Sequence, residues 1–342
     1  MDHLFGNVSK HMEQMAGEVS KQVGNVSGLV SNHFEKRKLS SAEEKTLADL
    51  KQSCGCDYPG CEYHPSDRKN WMAGVDPAKL TINKIVWPGT HDSATNEIGI
   101  AFITRPFAEC QSLSIYEQLV KGTRLLDIRV QEDRQVCHGI LNSYSIDVVL
   151  DDVKKFLSET KSEIIILEIR TEFGHKDPPE FDKYLAEKLG DYLIHQDDHV
   201  FVKTVAEVLP KRVICIWKPR NSAAPKAGSP LWSAGYLKDN WIDTDLPYTK
   251  FESNLKYLGE QPPASSRKFF YRVENTVTPQ SDNPEHVKPV TDRIHGYARL
   301  FIKQCFSKGI ADRLQVFSTD FIDDDFVDAC VGLTHARIEG KV

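Results

Sequence analysis

From Trp71 onward, short apolar runs alternate with stretches of helical periodicity, and this alternation limits the fold more than any other feature of the chain. The runs are Lys84 to Trp87, Thr123 to Arg129, Gln135 to Cys137, Ile164 to Arg170, Arg212 to Trp217, Lys268 to Val273 and Leu314 to Asp320. Parallel strands need a long crossover, usually a helix, so strand-then-helix order at this spacing predicts a parallel α/β sheet. Closure into a TIM-like, distorted β/α barrel over residues 70–342 accounts for the length, since barrels of roughly 250 residues fold as one unit.

Reactive side chains gather at the ends of these runs. His91 and Asp92 follow the first, Asp127 and Arg129 lie on the second and His138 follows the third; Arg170 ends the fourth, Lys218 follows the fifth and Asp320 ends the last. The C-terminal rim of the strands is where barrel enzymes build their active sites. Two histidines, an arginine and several carboxylates at one mouth suit phosphodiester cleavage. That reaction needs a base for the nucleophile, an acid for the leaving alkoxide and positive charge on the phosphate oxygens. The guanidinium fork matches phosphate in shape.

The formal net charge of −6 argues against nucleic acid as a partner, because no basic stripe is present to neutralise its phosphates. No run of about 18 apolar residues can span a bilayer. Met1 to Lys10 lacks an apolar core behind a basic start, so no secretory signal is read and a cytoplasmic location is expected. Cys110, Cys137, Cys215, Cys305 and Cys330 stand singly, the pattern of buried free thiols in a reducing compartment.

Two segments precede the barrel. Residues 1–38 hold three eleven-residue repeats, beginning at Gly6, Gly17 and Gly28, with apolar residues spaced four, four and three apart. That is the 3.67-residue period of a straight amphipathic helix, which suits either a membrane surface or self-packing. Residues 39–69 form a cysteine-rich connector, opening with a short helix at Glu43 to Leu50. Within it, Cys54, Cys56, Cys61 and His64 are candidate ligands for a structural zinc; a loop with surface thiols is the alternative. Trp232, Tyr236 and Trp241, in the Gly/Pro/Ser-rich stretch from Asn221 to Pro247, suit either a lipid-touching rim or plain packing.

Four motifs, Trp87-Pro-Gly-Thr-His91-Asp-Ser93, Gln111-Ser-Leu-Ser-Ile-Tyr-Glu-Gln-Leu119, Leu126-Asp-Ile-Arg-Val130 and Cys137-His-Gly139, resemble in order and spacing the X domain of phosphatidylinositol-specific phospholipases C. The likeness is greatest to stand-alone X-domain proteins and extends from about Asn70 to the C-terminus, including Val277-Thr-Pro279. It implies cleavage of phosphatidylinositol-type lipids to diacylglycerol and an inositol cyclic phosphate at a membrane surface. His91 is then the general base, oriented by Asp320, and His138 the acid, supported by Asp92. Arg129, positioned by Asp127, stabilises the phosphorane, and Arg170 and Lys218 contact the headgroup. Calcium-dependent members carry an asparagine after the first histidine and acidic residues at the positions of Arg129 and Arg170. The arginines here imply catalysis without a metal cofactor. Two alternatives stay open: a metal-dependent glycerophosphodiester or sphingomyelin phosphodiesterase, and a catalytically weak membrane adaptor that binds inositol headgroups. The acidic run Asp323 to Asp325, which tempts the metal-dependent reading, is expected to be a solvated loop.

Overall fold

A computed structural model describes residues 35–281 and 285–342. The repeats expected over 1–38 therefore lie outside the described residues except at 35–38, which belong to a helix running to residue 53. The short helix expected at Glu43 to Leu50 is part of it, and there is no structural break where repeat and connector were expected to meet.

The described strands are β1 (Trp87–Thr90), β2 (Leu125–Val130), β3 (Gln135–His138), β4 (Leu141–Ser145), β5 (Ile165–Thr171), β6 (Val213–Lys218), β7 (Leu237–Asp239), β8 (Phe270–Asn275) and β9 (Val316–Thr319). Seven of them run parallel in the order β6-β5-β2-β1-β9-β8-β7 and curl into a barrel. Between the outer strands β6 and β7 the described residues form no ladder; isolated bridges from Val213 to Leu193 and from Ile216 to Trp232 lie on the β6 side of this seam. Helices cover the outside. In Ile146–Glu159, for example, Ile146, Val149, Leu150, Val153, Phe156 and Leu157 are buried, one stripe at helical spacing.

Two details differ from the sequence expectation. The first strand begins at Trp87 rather than ending there. Ile82–Lys84 is a 3₁₀ turn, and Ile85 and Val86 are buried, the Val86 N–H donating to Thr334 Oγ1 in the last helix. Ladder bonding starts only at Trp87, where β9 is alongside, and Pro88, lacking an N–H, disguises the strand. The second detail is β3, which runs antiparallel to β2 and forms a hairpin with β4. His138 thus reaches the mouth from a hairpin and not from the rim of a parallel strand.

The connector belongs to the main core: Leu47, Tyr58 and Cys61 are buried together with residues of β1, β8 and β9. Gly60, at φ +86°, lies directly against Gly332 of the helix Asp324–Ile338, and a methyl group at either glycine would overlap the other's backbone carbonyl. Asp323 to Asp325 are not a solvated loop. Asp323 caps that helix by accepting from the Phe326 N–H at 2.8 Å, and Asp324 and Asp325 occupy its first turn, where the helix dipole favours negative charge.

Under the barrel, Arg124 and Glu163 form an ion pair fully removed from solvent, with guanidinium nitrogens 2.8 and 2.6 Å from the carboxylate. Glu163 also accepts from the Met72 and Ala73 N–H groups, which ties the connector's end to β5. Breaking a buried pair leaves one charge without compensation, at about 3–5 kcal/mol. Glu163→Gln is expected to lower the free energy of unfolding by that order, measured by urea denaturation.

Candidate active site

The Thr90-His91-Asp92-Ser93 turn at the top of β1 is fixed from below. Ser93 Oγ contacts Thr90 Oγ1 at 2.7 Å and accepts the Asp127 N–H at 2.8 Å, while the Ser93 N–H donates to the Asp127 carbonyl at 2.8 Å. Asp92 is thereby held at φ +42°, a left-handed conformation that a short polar side chain tolerates. Gln111 closes the other side, its amide donating to the His91 and Thr319 carbonyls and accepting from the Ile322 N–H. Gln118 donates to the Ser93 carbonyl, and its helix starts with a reciprocal capping box between Ser114 and Glu117.

His91, 9 % exposed, has its Nδ1 2.8 Å from Asp320 Oδ1, and Thr291 Oγ1 donates to the other Asp320 oxygen at 3.0 Å. His91 Nε2 faces Arg129 Nη2 at 3.0 Å and Asp92 Oδ2 at 3.5 Å. The second histidine meets the same carboxylate: His138 Nε2 is 3.5 Å from Asp92 Oδ2, and its Nδ1 is 2.9 Å from the Ala108 carbonyl, which selects the Nδ1–H form on that side. Arg129 is gripped by Asp92 (2.7 Å), Asp127 (3.5 Å) and Glu172 (3.5 Å).

These groups open into a cavity of about 450 Å³, whose lining includes His91, Arg129, His138, Arg170 and Asp320. Of the two expected headgroup contacts, Arg170 lines the cavity. Lys218 does not; its ammonium is engaged by Glu168 at 2.8 Å and by the Leu237 carbonyl at 3.0 Å. Asp92 and Asp127 act from behind the wall, through Arg129 and the histidines.

Burial would push the His91 imidazole down, but Asp320 and Asp92 outweigh it and hold its pKa at about 9. With the proton off, Nε2 accepts from Arg129 while Nδ1–H donates to Asp320; with it on, Nε2–H has Asp92 to face. Burial would raise the Asp127 carboxyl, yet Arg129 and Arg170 bring it down to about 2. Arg129 itself is held above the ordinary arginine value because its carboxylates overcome its desolvation. The Cys110 thiol beside Asp92 is pushed up by burial and by Asp320 and Asp92, so it is no thiolate ligand or nucleophile. His91, Asp92 and Cys110 have ligand atoms mutually within 4.8 Å, but the Asp92 carboxylate is already committed to Arg129.

The proposed zinc ligands are not gathered at one point. Cys56 and Cys61 are joined in a disulfide, His64 Nδ1 meets Asp328 at 2.6 Å, and Cys54 Sγ lies 3.8 Å from Gln304 Nε2. Cys56, Cys61 and Glu62 bring ligand atoms within 4.8 Å of one another, whereas His64 is turned to Asp328, which also accepts from Arg68. The five single cysteines are buried and unpaired, as expected.

The three aromatics expected at a rim or in plain packing divide: Trp241, 39 % exposed, lines the cavity and stacks on the His91 ring with centroids 5.4 Å apart, whereas Trp232 is buried in the core and Tyr236 donates to Asp198. Groups not read from the sequence are Asp239, Asp243, Arg272 and Glu274, which also line the cavity. Alternation along β8 was the available signal, since Arg272 and Glu274 are two residues apart on one face.

Residues 87–214 match the family described as phosphatidylinositol-specific phospholipase C, X domain, which bears out the resemblance seen in the motifs. A 1-phosphatidylinositol phosphodiesterase of Listeria monocytogenes is 32% identical over 111 residues, which are 32% of this chain and 35% of the relative. A PI-PLC X-box domain-containing protein of Dictyostelium discoideum is 26% identical over 230 residues, 58% of this chain and 30% of that protein. The chain thus spans about a third of the length of the curated relatives it matches. The fold is similar to that of the phosphatidylinositol-specific phospholipase C from Listeria monocytogenes, with a TM-score of 0.64 at 18% identity over 78% of this chain and 98% of the other. A phosphatidylinositol-specific phospholipase C from S. aureus superposes with a TM-score of 0.59 at 18% identity, over 79% of this chain and 99% of the other. The TIM-like barrel expected from the alternation is therefore the observed fold class.

The electrostatics of His91 are testable without substrate. Its imidazole resonances are expected to titrate near pH 9. In Asp320→Asn, which removes the nearest carboxylate, the midpoint should fall towards the ordinary histidine value of about 6.5, as read by NMR of the labelled ring.

Proposed function

We propose that this chain, carrying the X-domain match over residues 87–214, is a phosphodiesterase that cleaves phosphatidylinositol-type lipids without a catalytic metal. One observation carries this: His91, His138 and Arg129 converge on the single carboxylate of Asp92 at the mouth of one cavity. In its neutral form, whose share grows as pH rises towards about 9, His91 keeps Nδ1–H on Asp320 and takes the proton of the inositol 2-hydroxyl at Nε2. The freed oxygen attacks phosphorus, and charge building on the phosphoryl oxygens is met by Arg129. As the bond from phosphorus to the glycerol oxygen breaks, His138 delivers a proton from Nε2, releasing diacylglycerol and a cyclic inositol phosphate. Arg129 stands where a divalent cation would act, held at the mouth by Asp92, Asp127 and Glu172.

The rim supports a lipid surface as the place of work. Phe102 (97 % exposed) and Ile140 (91 % exposed), with Ile100, Ile103, Phe107 and Phe173, project from loops on the cavity side of the barrel. A cluster of large exposed apolar side chains around a mouth is the mark of an interaction face. Among the described residues no helix is long and apolar enough to cross a membrane, so attachment would be peripheral.

With phosphatidylinositol vesicles in excess EDTA, wild-type protein is expected to form inositol cyclic phosphate. His91→Ala and His138→Ala should each lose at least about 10²-fold in turnover. Product formed only after a divalent ion is restored would favour the metal-assisted alternative, and vesicle binding without turnover the adaptor. The Phe102→Ser/Ile140→Ser double variant is expected to bind such vesicles at least about a hundredfold more weakly in sedimentation, given about 1.5–3 kcal/mol for each large apolar side chain buried.

A further inference from the structure

Asp320, the carboxylate behind His91, sits at a strained corner. The next residue, Phe321, is held at φ +46°, a left-handed conformation that is uncommon for a bulky side chain and persists only where surrounding bonds over-determine it. Two of those bonds come from the Cys110–Gln111 stretch: the Phe321 N–H donates to the Cys110 carbonyl at 2.8 Å, and the Gln111 amide donates to the Thr319 carbonyl at 2.9 Å. Others come from the helix Val287–Thr291 and the turn after it. His295 Nε2 lies 3.0 Å from the Phe321 carbonyl, and the fully buried Thr291 hydroxyl donates to Asp320 Oδ2 at 3.0 Å.

That segment has a small core of its own. Val277, Val290 and Ile294 are buried together, apart from the two main clusters of apolar side chains. The Thr291 carbonyl accepts from the Ile294 and His295 N–H groups, each at 3.0 Å, and Asn275 Nδ2 at the end of β8 donates to the Ile294 carbonyl at 3.4 Å. Thr291 is therefore anchored independently of β9, at whose end Asp320 lies. The two oxygens of Asp320 have separate tasks: Oδ1 faces His91 Nδ1 at 2.8 Å, and among the described residues Thr291 alone donates to Oδ2.

We infer that Thr291 is a positioning residue of the reaction: its hydroxyl fixes Asp320 Oδ2 and draws on that carboxylate's charge, so that His91 releases its proton more readily than it would beside a bare Asp320. The kinetic consequence rests on the two-histidine mechanism proposed above; the electrostatic one does not. A carboxylate already stabilised by a donor gains less from an adjacent imidazolium. Other charges surround the pair. Asp92 and Glu274 add negative potential at His91, and Arg129 Nη2 faces its Nε2 at 3.0 Å, while His138 is reached through Asp92. Lys250, donating to the Ile242 carbonyl, acts on Asp320 from the helix Pro247–Gly259, and the Cys110 thiol lies in the field of Asp320 and Asp92. On the bracing segment Lys288 is paired with Asp292, and His295 has Asp323 at 3.5 Å. All of these stay in place when only the Thr291 hydroxyl is removed.

The test is a pair of titrations on the full chain, for wild type, Thr291→Val, Thr291→Ala and Thr291→Ser, with melting temperatures as the check on folding. One follows the labelled His91 ring by NMR, and the other follows kcat/KM on phosphatidylinositol vesicles against pH. Thr291→Val keeps the shape without the donor. Its His91 midpoint is expected to rise from about 9 by about 0.5 to 1 pH. At pH 7 less His91 is then neutral, so kcat/KM should fall about threefold to tenfold, and the deficit should close as pH passes the new midpoint. Thr291→Ala, which removes any crowding by the valine, should move the midpoint the same way. Thr291→Ser keeps the hydroxyl and should restore both wild-type curves. A midpoint unchanged or lowered in folded Thr291→Val or Thr291→Ala would overturn the inference, as would a loss of turnover equal at every pH. Absence of turnover on every lipid by wild type would overturn the lipid-cleaving function, and the NMR midpoints would still decide the role of Thr291.

Discussion

The parallel register of β2, β5 and β6 is the constraint on which the site depends. It pairs Asp127 with Glu168 one step below Arg129, Arg170 and Lys218, so that a carboxylate layer underlies a cationic layer. Removing these charges from water is tolerable only because each meets a partner at hydrogen-bond distance; a slip of one residue would turn all of them to the other face. Glu168 is held far below the ordinary carboxylate range, burial being overcome by Arg170, Arg272 and Lys218, and thus stays ionised as the hub. The same layering delivers Arg129 to the mouth with its geometry fixed, which is what electrostatic stabilisation of a developing charge requires.

The motif around His91 divides into chemistry and support. His91 lines the cavity and Asp92 backs it, whereas Thr90, Ser93, Gln111 and Gln118 hold the turn to β2 and β9 through hydroxyl and amide bonds. Those four have no reactive part. Their presence in the same short segments follows from the left-handed Asp92, which stays in place only if the surrounding bonds over-determine it. Outside the barrel the connector serves a similar end, with Arg68 and His64 both on Asp328 and Gly60 seated on Gly332.

Much of the site was legible in residue types at strand ends, because strand alternation and the rim position of barrel sites are local consequences of sequence. His91, Asp127, Arg129, His138, Arg170 and Asp320 all converge on the cavity or its immediate support. The hairpin origin of His138 was hidden, since antiparallel and parallel pairing use the same apolar residues. Lys218 was placed at the right strand end, but whether its ammonium faces a ligand or Glu168 depends on where β5 brings that glutamate. The zinc expectation rested on four candidate ligands in a short span, and the span says nothing of Asp328, 264 residues away from His64.

The sequence by itself determined the alternation that makes a parallel barrel, the histidine pair and the arginine at the strand ends, and the family to which residues 87–214 are similar. These are readable because periodicity and motif spacing are short-range properties of the chain. Only the tertiary structure decided the seam between β6 and β7, the stacking of Trp241 on His91 and the disulfide of Cys56 with Cys61. Those depend on which groups meet across long stretches of chain and on how much water is left between them. A carboxylate's role is set by its partners, and the partners are chosen by packing.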